Sequence, residues 1–171
     1  IVGNPDFELV ALCDVKKKDE LGLENFDKAS FFHSIEELIQ SGIEIDAVAI
    51  ASPNGIHQDQ ALKVLENNWH VVVEKPLALT KAGCEQIIFK ALQKHKQVFC
   101  VMQNRYSPPS VWLKEVLNQG ILGRIFMVQI NCYWNRDERY YKPHPNTGKP
   151  TTWHGTSELD GGTLFTQFSH F

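Results

Sequence analysis

The chain reads as an α/β protein built on a parallel sheet, and three observations carry that reading. Short β-branched runs, Asp46-Ala-Val-Ala-Ile-Ala51 and Val71-Val-Val-Glu74, recur with helical stretches between them. After Thr80, residues Cys84, Ile87, Ile88, Ala91 and Leu92 fall at i, i+3, i+4, i+7 and i+8, the apolar stripe of an amphipathic helix. Strands alternating with helices at this pace imply βαβ units, whose strands are buried on both faces and read as unbroken apolar runs.

Each element has its own local justification. Glu8 to Asp14 is an apolar run ending in an acid, as a buried strand would be. Ser34-Ile-Glu-Glu37 has capping-box spacing and opens a helix through about Gln40. Ser52-Pro53-Asn54-Gly55 is turn chemistry closing the strand 46–51, and a helix follows from about Ile56 to Glu66. The strand 71–74 comes next, then the helix capped by Thr80, then a strand over 97–101. Beyond Asn104 the character changes. Ser107-Pro108 suits a helix cap and first position, and the helix runs to about Asn118 before Gly120 and Gly123 break it.

From Phe126 to Trp134 one face carries Phe126, Val128, Ile130, Cys132 and Trp134, and the other Met127, Gln129, Asn131 and Tyr133. That period of two marks a long strand of an antiparallel or mixed sheet. Asn135 to Glu158 is a long polar loop rich in proline and aromatics, a kind usually functional or mobile. Asp160-Gly-Gly162 then leads into a helix running to Phe171. It is apolar at Leu164, Phe165, Phe168 and Phe171, and it places Thr166, Gln167 and His170 on one face. Two domains follow from this reading, 1–103 and 104–171.

Composition removes several function classes. With 43% hydrophobic and 22% charged residues and a net charge of -3, the chain offers nucleic acid or an anionic membrane no electrostatic attraction. No apolar stretch reaches the roughly 18 residues of a membrane span. The amino terminus lacks the pattern of a secretory signal, so a cytoplasmic location is expected. Cys13, Cys84, Cys100 and Cys132 form no C-x-x-C pair and read as small buried hydrophobes rather than zinc ligands or a redox dithiol. A metal-dependent hydrolase using His144, His154 and His170 is disfavoured, because those spacings match no compact ligand motif.

Four features carry chemistry. Asp14 closes a strand where an acid accepts hydrogen bonds from ribose hydroxyls; that favours NAD, although Lys16, Lys17 and Lys18 leave NADP open. Ser52, Pro53 and Asn54, with His57 on the first helical turn, read as a turn or as a rigid loop beside a cofactor. Glu74-Lys75-Pro76 delivers a carboxylate and an ammonium to a strand end, and the proline biases Lys75 towards an extended backbone. The Thr166, Gln167 and His170 stripe lies on an otherwise apolar helix and reads as the lining of a pocket.

Taken in order and spacing, these residues resemble the Gfo/Idh/MocA family of NAD(P)-dependent oxidoreductases, the glucose-fructose oxidoreductase and inositol dehydrogenase group. The resemblance rests on Asp14, on Asp46 to His57, on His70 to Leu77, on Asn104-Arg105-Tyr106, and on Asp160-Gly-Gly followed by His170. It implies a Rossmann domain that here lacks its first strand and Gly-rich loop, followed by the start of an α+β domain with a mostly antiparallel open sheet. It implies that Lys75 and His170 are catalytic. It also implies that Asp14, Ser52, Pro53, Asn54, His57, Glu74, Lys75, Gln103 and Asn104 hold NAD, and that a homo-oligomer, dimer or tetramer, forms through the C-terminal sheet. The substrate would be a sugar, sugar nucleotide or cyclitol, met by Lys75, Arg105, Tyr106, Trp153, Thr166, Gln167 and His170, with Tyr140 and Tyr141 as weaker candidates. Thr166 stands where the family usually has an aspartate, and the chain also resembles the branch acting on sugar-nucleotide uronates. A dinucleotide-binding sensor or scaffold without turnover is the alternative from another class; retention of Lys75 and His170 argues against it.

Overall fold

Local chemistry sets the helix starts. In a computed structural model, which describes residues 3–136, 138–141, 153–162 and 166–170, the Ser34 hydroxyl accepts from the Glu37 amide at 3.1 Å. The Glu37 carboxylate reaches back to the His33 amide at 2.8 Å, completing the capping box at the head of α1 (Ile35–Gln40). Thr80 likewise accepts from the Gly83 amide at 3.0 Å and opens α3 (Lys81–Lys94).

Packing divides the chain into two units, Ile1–Val48 and Ala49–Phe171. In the first, β1 (Ala11–Cys13) pairs in parallel with β2 (Ser30–Phe32), Leu12 opposite Phe31, and α1 packs on both. β2 has no sequence signal of its own, since three residues are too few to show a period. The division between the two units falls inside β3 (Ala47–Ile50).

In the second unit the strand order is β3, β4 (His70–Val73), β5 (Val98–Cys100), with β4 and β5 parallel. α2 (His57–Glu66) packs on β4 and on α3. Ala61, Val64, Leu65, Val71, Val73 and Ile87 are wholly buried and form the core. The Lys94 ammonium donates to the Glu66 carbonyl at 3.1 Å, meeting one of the unsatisfied carbonyls at the end of α2.

Three expectations need correction. The buried stripe of α3 is narrower than its sequence pattern: Gly83, Ile87 and Ala91 are buried, but Ile88 and Leu92 are exposed, because the face packed on α2 is about one residue row wide. No strand forms over Phe126–Trp134, and the apolar face and its opposite are both largely exposed. A strand needs a neighbour for its backbone groups, and among the described residues no β-bridge forms there. The cysteines are free thiols, but Cys13 is exposed and the other three half-buried, so they are not core residues.

After β5 come α4 (Pro108–Asn118), which buries no side chain, and the single turn α5 (Glu138–Tyr141). Of the helix expected before Phe171, the described part is a short turn ending in the 3-10 segment Phe168–His170. Leu164, Phe165 and Phe171, and His144 with much of the long loop, lie outside the described residues. Among those described, no helix is long and apolar enough to cross a membrane.

The segment 155–162 is seated on the turns that follow β3 and β4. The Gly55 amide donates to the Leu159 carbonyl at 2.9 Å, and the Asn54 side chain, itself buried, donates to the Asp160 carbonyl at 3.0 Å. A Cβ on Gly55 would collide with the Glu158 carbonyl oxygen and the Leu159 Cα. Gly161 takes φ of +78° with its α-carbon against the Leu79 side chain. Gly55→Ala should therefore destabilise the protein by about 1–3 kcal/mol, as overpacking against backbone does. A chemical-denaturation midpoint indistinguishable from the parent would show that this approach is not tightly held.

Candidate active site

Parallel sheets present ligand sites beyond the carboxyl ends of their strands, and the second unit builds one there. The Glu74 amide donates to the Ile50 carbonyl at 2.9 Å, so the ends of β3 and β4 are level. His57, fully buried, ties the loops beyond them together: Nδ1 lies 2.7 Å from the Pro76 carbonyl and Nε2 2.8 Å from the Ser52 carbonyl. The Ser52 hydroxyl donates to the Gln60 side chain at 2.6 Å. The Lys75-Pro76 peptide is cis.

Lys75 projects from this edge to the Thr166 carbonyl, to which its ammonium donates at 2.8 Å. Thr166 is held in turn by Asp160, a buried carboxylate that accepts from the Thr166 hydroxyl and from the Gly155 amide at 2.6 Å. Asn104 donates to the His170 carbonyl at 2.9 Å, and the Gln103 amide lies 2.8 Å from His170 Nδ1. These bonds converge on one cleft of about 240 Å³. Ala51, Ser52, Asn54 and Glu74 line one side of it, Lys75 and His170 reach into it, and Arg136, Tyr140, Trp153, His154, Thr166 and Gln167 complete it.

Electrostatics in the cleft lower the proton affinity of both groups. Burial lowers the proton affinity of Lys75, and the Glu74 and Asp160 carboxylates oppose that without cancelling it. Burial also lowers that of His170, and the Lys75 and Arg136 charges push it the same way. The two candidate catalytic groups therefore share an environment and feel each other.

The other expected residues distribute around this centre. Pro53 and His57 do not line the cleft. Gln103 and Asn104 position His170. Arg105 lines a second cleft of about 820 Å³, with Lys114 and Ser107, which meets the first at His170. Tyr106 is largely exposed and lines neither. Asp14, in the first unit, follows β1 and accepts from the Lys16 amide at 2.8 Å. Lys18 is engaged elsewhere, donating to the Phe26 carbonyl at 3.0 Å. Among the described residues no group of three His, Cys, Asp or Glu side chains is arranged to hold a metal ion.

Sequence reasoning missed Arg136, Asp160 as a buried anchor, and His154 as a cleft residue. The available signal for Arg136 was a basic residue among Trp134, Tyr140 and Tyr141, which becomes meaningful only once Arg136 is seen to line the cleft.

Comparison with known proteins agrees with this geometry. Residues 2–102, more than half of the chain, match the oxidoreductase family with an NAD-binding Rossmann fold, Gfo/Idh/MocA. An uncharacterised oxidoreductase of Synechocystis is 30% identical over 92% of this chain and 40% of its own length. Inositol 2-dehydrogenase of Salmonella paratyphi B is 33% identical over 74% of this chain and 38% of its own length. Among solved structures, the WlbA dehydrogenase of Bordetella pertussis in complex with NADH and UDP-GlcNAcA superposes with a TM-score of 0.83 at 32% identity, covering 95% of this chain and 48% of that one. The chain thus spans less than half the length of each of these proteins. On its matched sequence, its parallel βαβ core and its strand-end cleft, this chain belongs to the Gfo/Idh/MocA oxidoreductase family, whose Rossmann fold binds NAD.

Proposed function

We propose that the protein is an NAD-dependent dehydrogenase acting on a hydroxyl of a sugar, sugar nucleotide or cyclitol, with Lys75 and His170 handling the proton. The observation that carries this is the convergence of Lys75, from the end of β4, and His170, from the turn 168–170, on one partly desolvated cleft. The match over 2–102 supports assigning 1–103 to the cofactor domain and 104–171 to the start of a substrate and oligomerisation domain.

The cleft suits the nicotinamide end of the cofactor. Ala51 is small and exposed, which permits close approach, and Glu74 offers a carboxylate to ribose hydroxyls. Ser52 and Asn54 complete that wall, and Asp14 is the proposed partner of the adenosine ribose. Bound there, NAD supplies the hydride acceptor. Lys75, with one of its three donors used on the Thr166 carbonyl, has donors left to hold the substrate oxygen and stabilise charge developing on it. His170 takes the hydroxyl proton at Nε2. For that, Nδ1 must carry the ring hydrogen, and Gln103 accepts it once its amide oxygen faces Nδ1, a half-turn of the side chain.

The exposed apolar residues of α4 and the following segment, among them Trp112, Leu117, Ile121 and Phe126, support assembly through the C-terminal part. Sedimentation equilibrium of the intact protein should give a dimer or tetramer; a monomer ends this part of the proposal.

Two kinetic outcomes test the centre. Lys75→Ala in the intact protein should leave NAD affinity close to the parent and lower kcat by roughly 100- to 10,000-fold. Turnover within a few-fold of the parent would remove Lys75 from the mechanism. The pH profile carries a sign: a base whose proton affinity is lowered stays unprotonated further into acid. The acid limb of kcat/KM for oxidation should therefore fall below pH 6.5, the ordinary value for histidine. An acid limb at or above that value would show that another group is the base.

A further inference from the structure

Lys75 must carry its proton to hold a substrate oxygen, and burial works against that. The groups facing it decide how far it stays charged. Glu74 precedes it at the strand end, and Cys100 ends β5. His170 comes from the turn 168–170, Arg136 lines the same cleft, and Asp160 belongs to the segment seated on the strand-end turns. Of these, Glu74 and then Asp160 support the ammonium most. The two differ in access. Glu74 lines the cleft and meets whatever binds there, whereas Asp160 is buried and lines none of it. A charge so enclosed is screened little by salt.

Asp160 is also held firmly. Its amide donates to the Thr156 carbonyl at 2.9 Å, and its carbonyl accepts from the buried Asn54 side chain at 3.0 Å. One carboxylate oxygen accepts from the Gly155 amide at 2.6 Å, and the other accepts from the Thr166 hydroxyl. That hydroxyl also lies 2.9 Å from the Gly162 carbonyl, but a charged acceptor makes the stronger bond. Thr166 is itself buried, and its carbonyl receives the Lys75 ammonium at 2.8 Å. One residue therefore touches Asp160 with its hydroxyl and Lys75 with its carbonyl.

We propose that Asp160 is a positioning residue for Lys75. Through the Thr166 hydroxyl it fixes the carbonyl that aims the ammonium, and it supplies a counter-charge that neither substrate nor cofactor reaches. The proposal rests on Lys75 as the group that holds the substrate oxygen. Its test needs neither substrate nor turnover, so it fails separately from the dehydrogenase reading.

The test is nuclear magnetic resonance of the intact protein with isotope-labelled lysine and histidine, Lys75→Arg and His170→Asn identifying the two signals. Asp160→Asn keeps the shape and removes the charge. The Lys75 titration should then move to lower pH than in the parent, because an anion that favours the ammonium is gone. The His170 titration should stay in place, since burial and the charges of Lys75, Glu74 and Arg136 act on it without Asp160. Thr166→Val leaves Asp160 present and cuts the link. Its Lys75 ammonium hydrogens should exchange with water roughly 10- to 100-fold faster, the value of a hydrogen bond to a charged group. Thr166→Ser, which keeps the hydroxyl, should exchange close to the parent rate. A Lys75 titration unmoved in Asp160→Asn, a joint shift of Lys75 and His170 as general loosening gives, or equal exchange in the two Thr166 variants would each overturn the proposal. Should Asp160→Asn not fold, the Thr166 pair decides alone.

Discussion

The seam between the turn at 53–55 and the segment 158–160 is the constraint on which the site depends. Two hydrogen bonds cross it, Gly55 to Leu159 and Asn54 to Asp160, and the absence of a side chain at Gly55 lets the two backbones meet. The Thr166 carbonyl that faces Lys75 is held through that contact. Asp160 is fixed by the seam, the Thr166 hydroxyl is fixed by Asp160, and the Thr166 carbonyl receives the Lys75 ammonium. A buried polar group left without its partner costs more than the bond contributes when made. The chain of bonds therefore acts as a unit, and disturbance at the seam is felt at the ammonium.

This chain of bonds gives physical content to Thr166, which occupies a position where the family resemblance leads one to expect an aspartate. A carboxylate is still present beneath the cleft, but it comes from Asp160, and Thr166 connects it to the site. The hydroxyl binds the acid while the carbonyl of the same residue binds Lys75. The negative charge thus sits one residue removed from the cleft surface. Burial rather than an adjacent acid dominates the proton affinities of Lys75 and His170.

The parts of the chain outside the core behave differently. α4 and the segment up to Trp134 expose Trp112, Leu117, Phe126 and Val128, a concentration of apolar surface that single scattered residues would not explain. The period-two pattern over 126–134 is a statement about two unlike faces. It does not supply a neighbouring strand, and without one no sheet forms among the described residues.

The sequence by itself determined the βαβ core. Capping at Ser34 and Thr80, the β-branched run before Glu74 and the turn at Ser52-Pro53 are local signals, and local energetics decide them. It also marked Lys75 and His170 as candidate site residues, because a charged residue pinned at a strand end and a polar stripe on an apolar segment are visible in one dimension. Only the tertiary structure decided that these two meet. It also decided that His57 is buried as a clamp between two loops, that Asp160 anchors the site, and that Arg136 belongs to it. Those outcomes depend on contacts between residues as far apart as Asn54 and Asp160 or Lys75 and Thr166. No periodicity or propensity records which distant backbone will pack against a glycine.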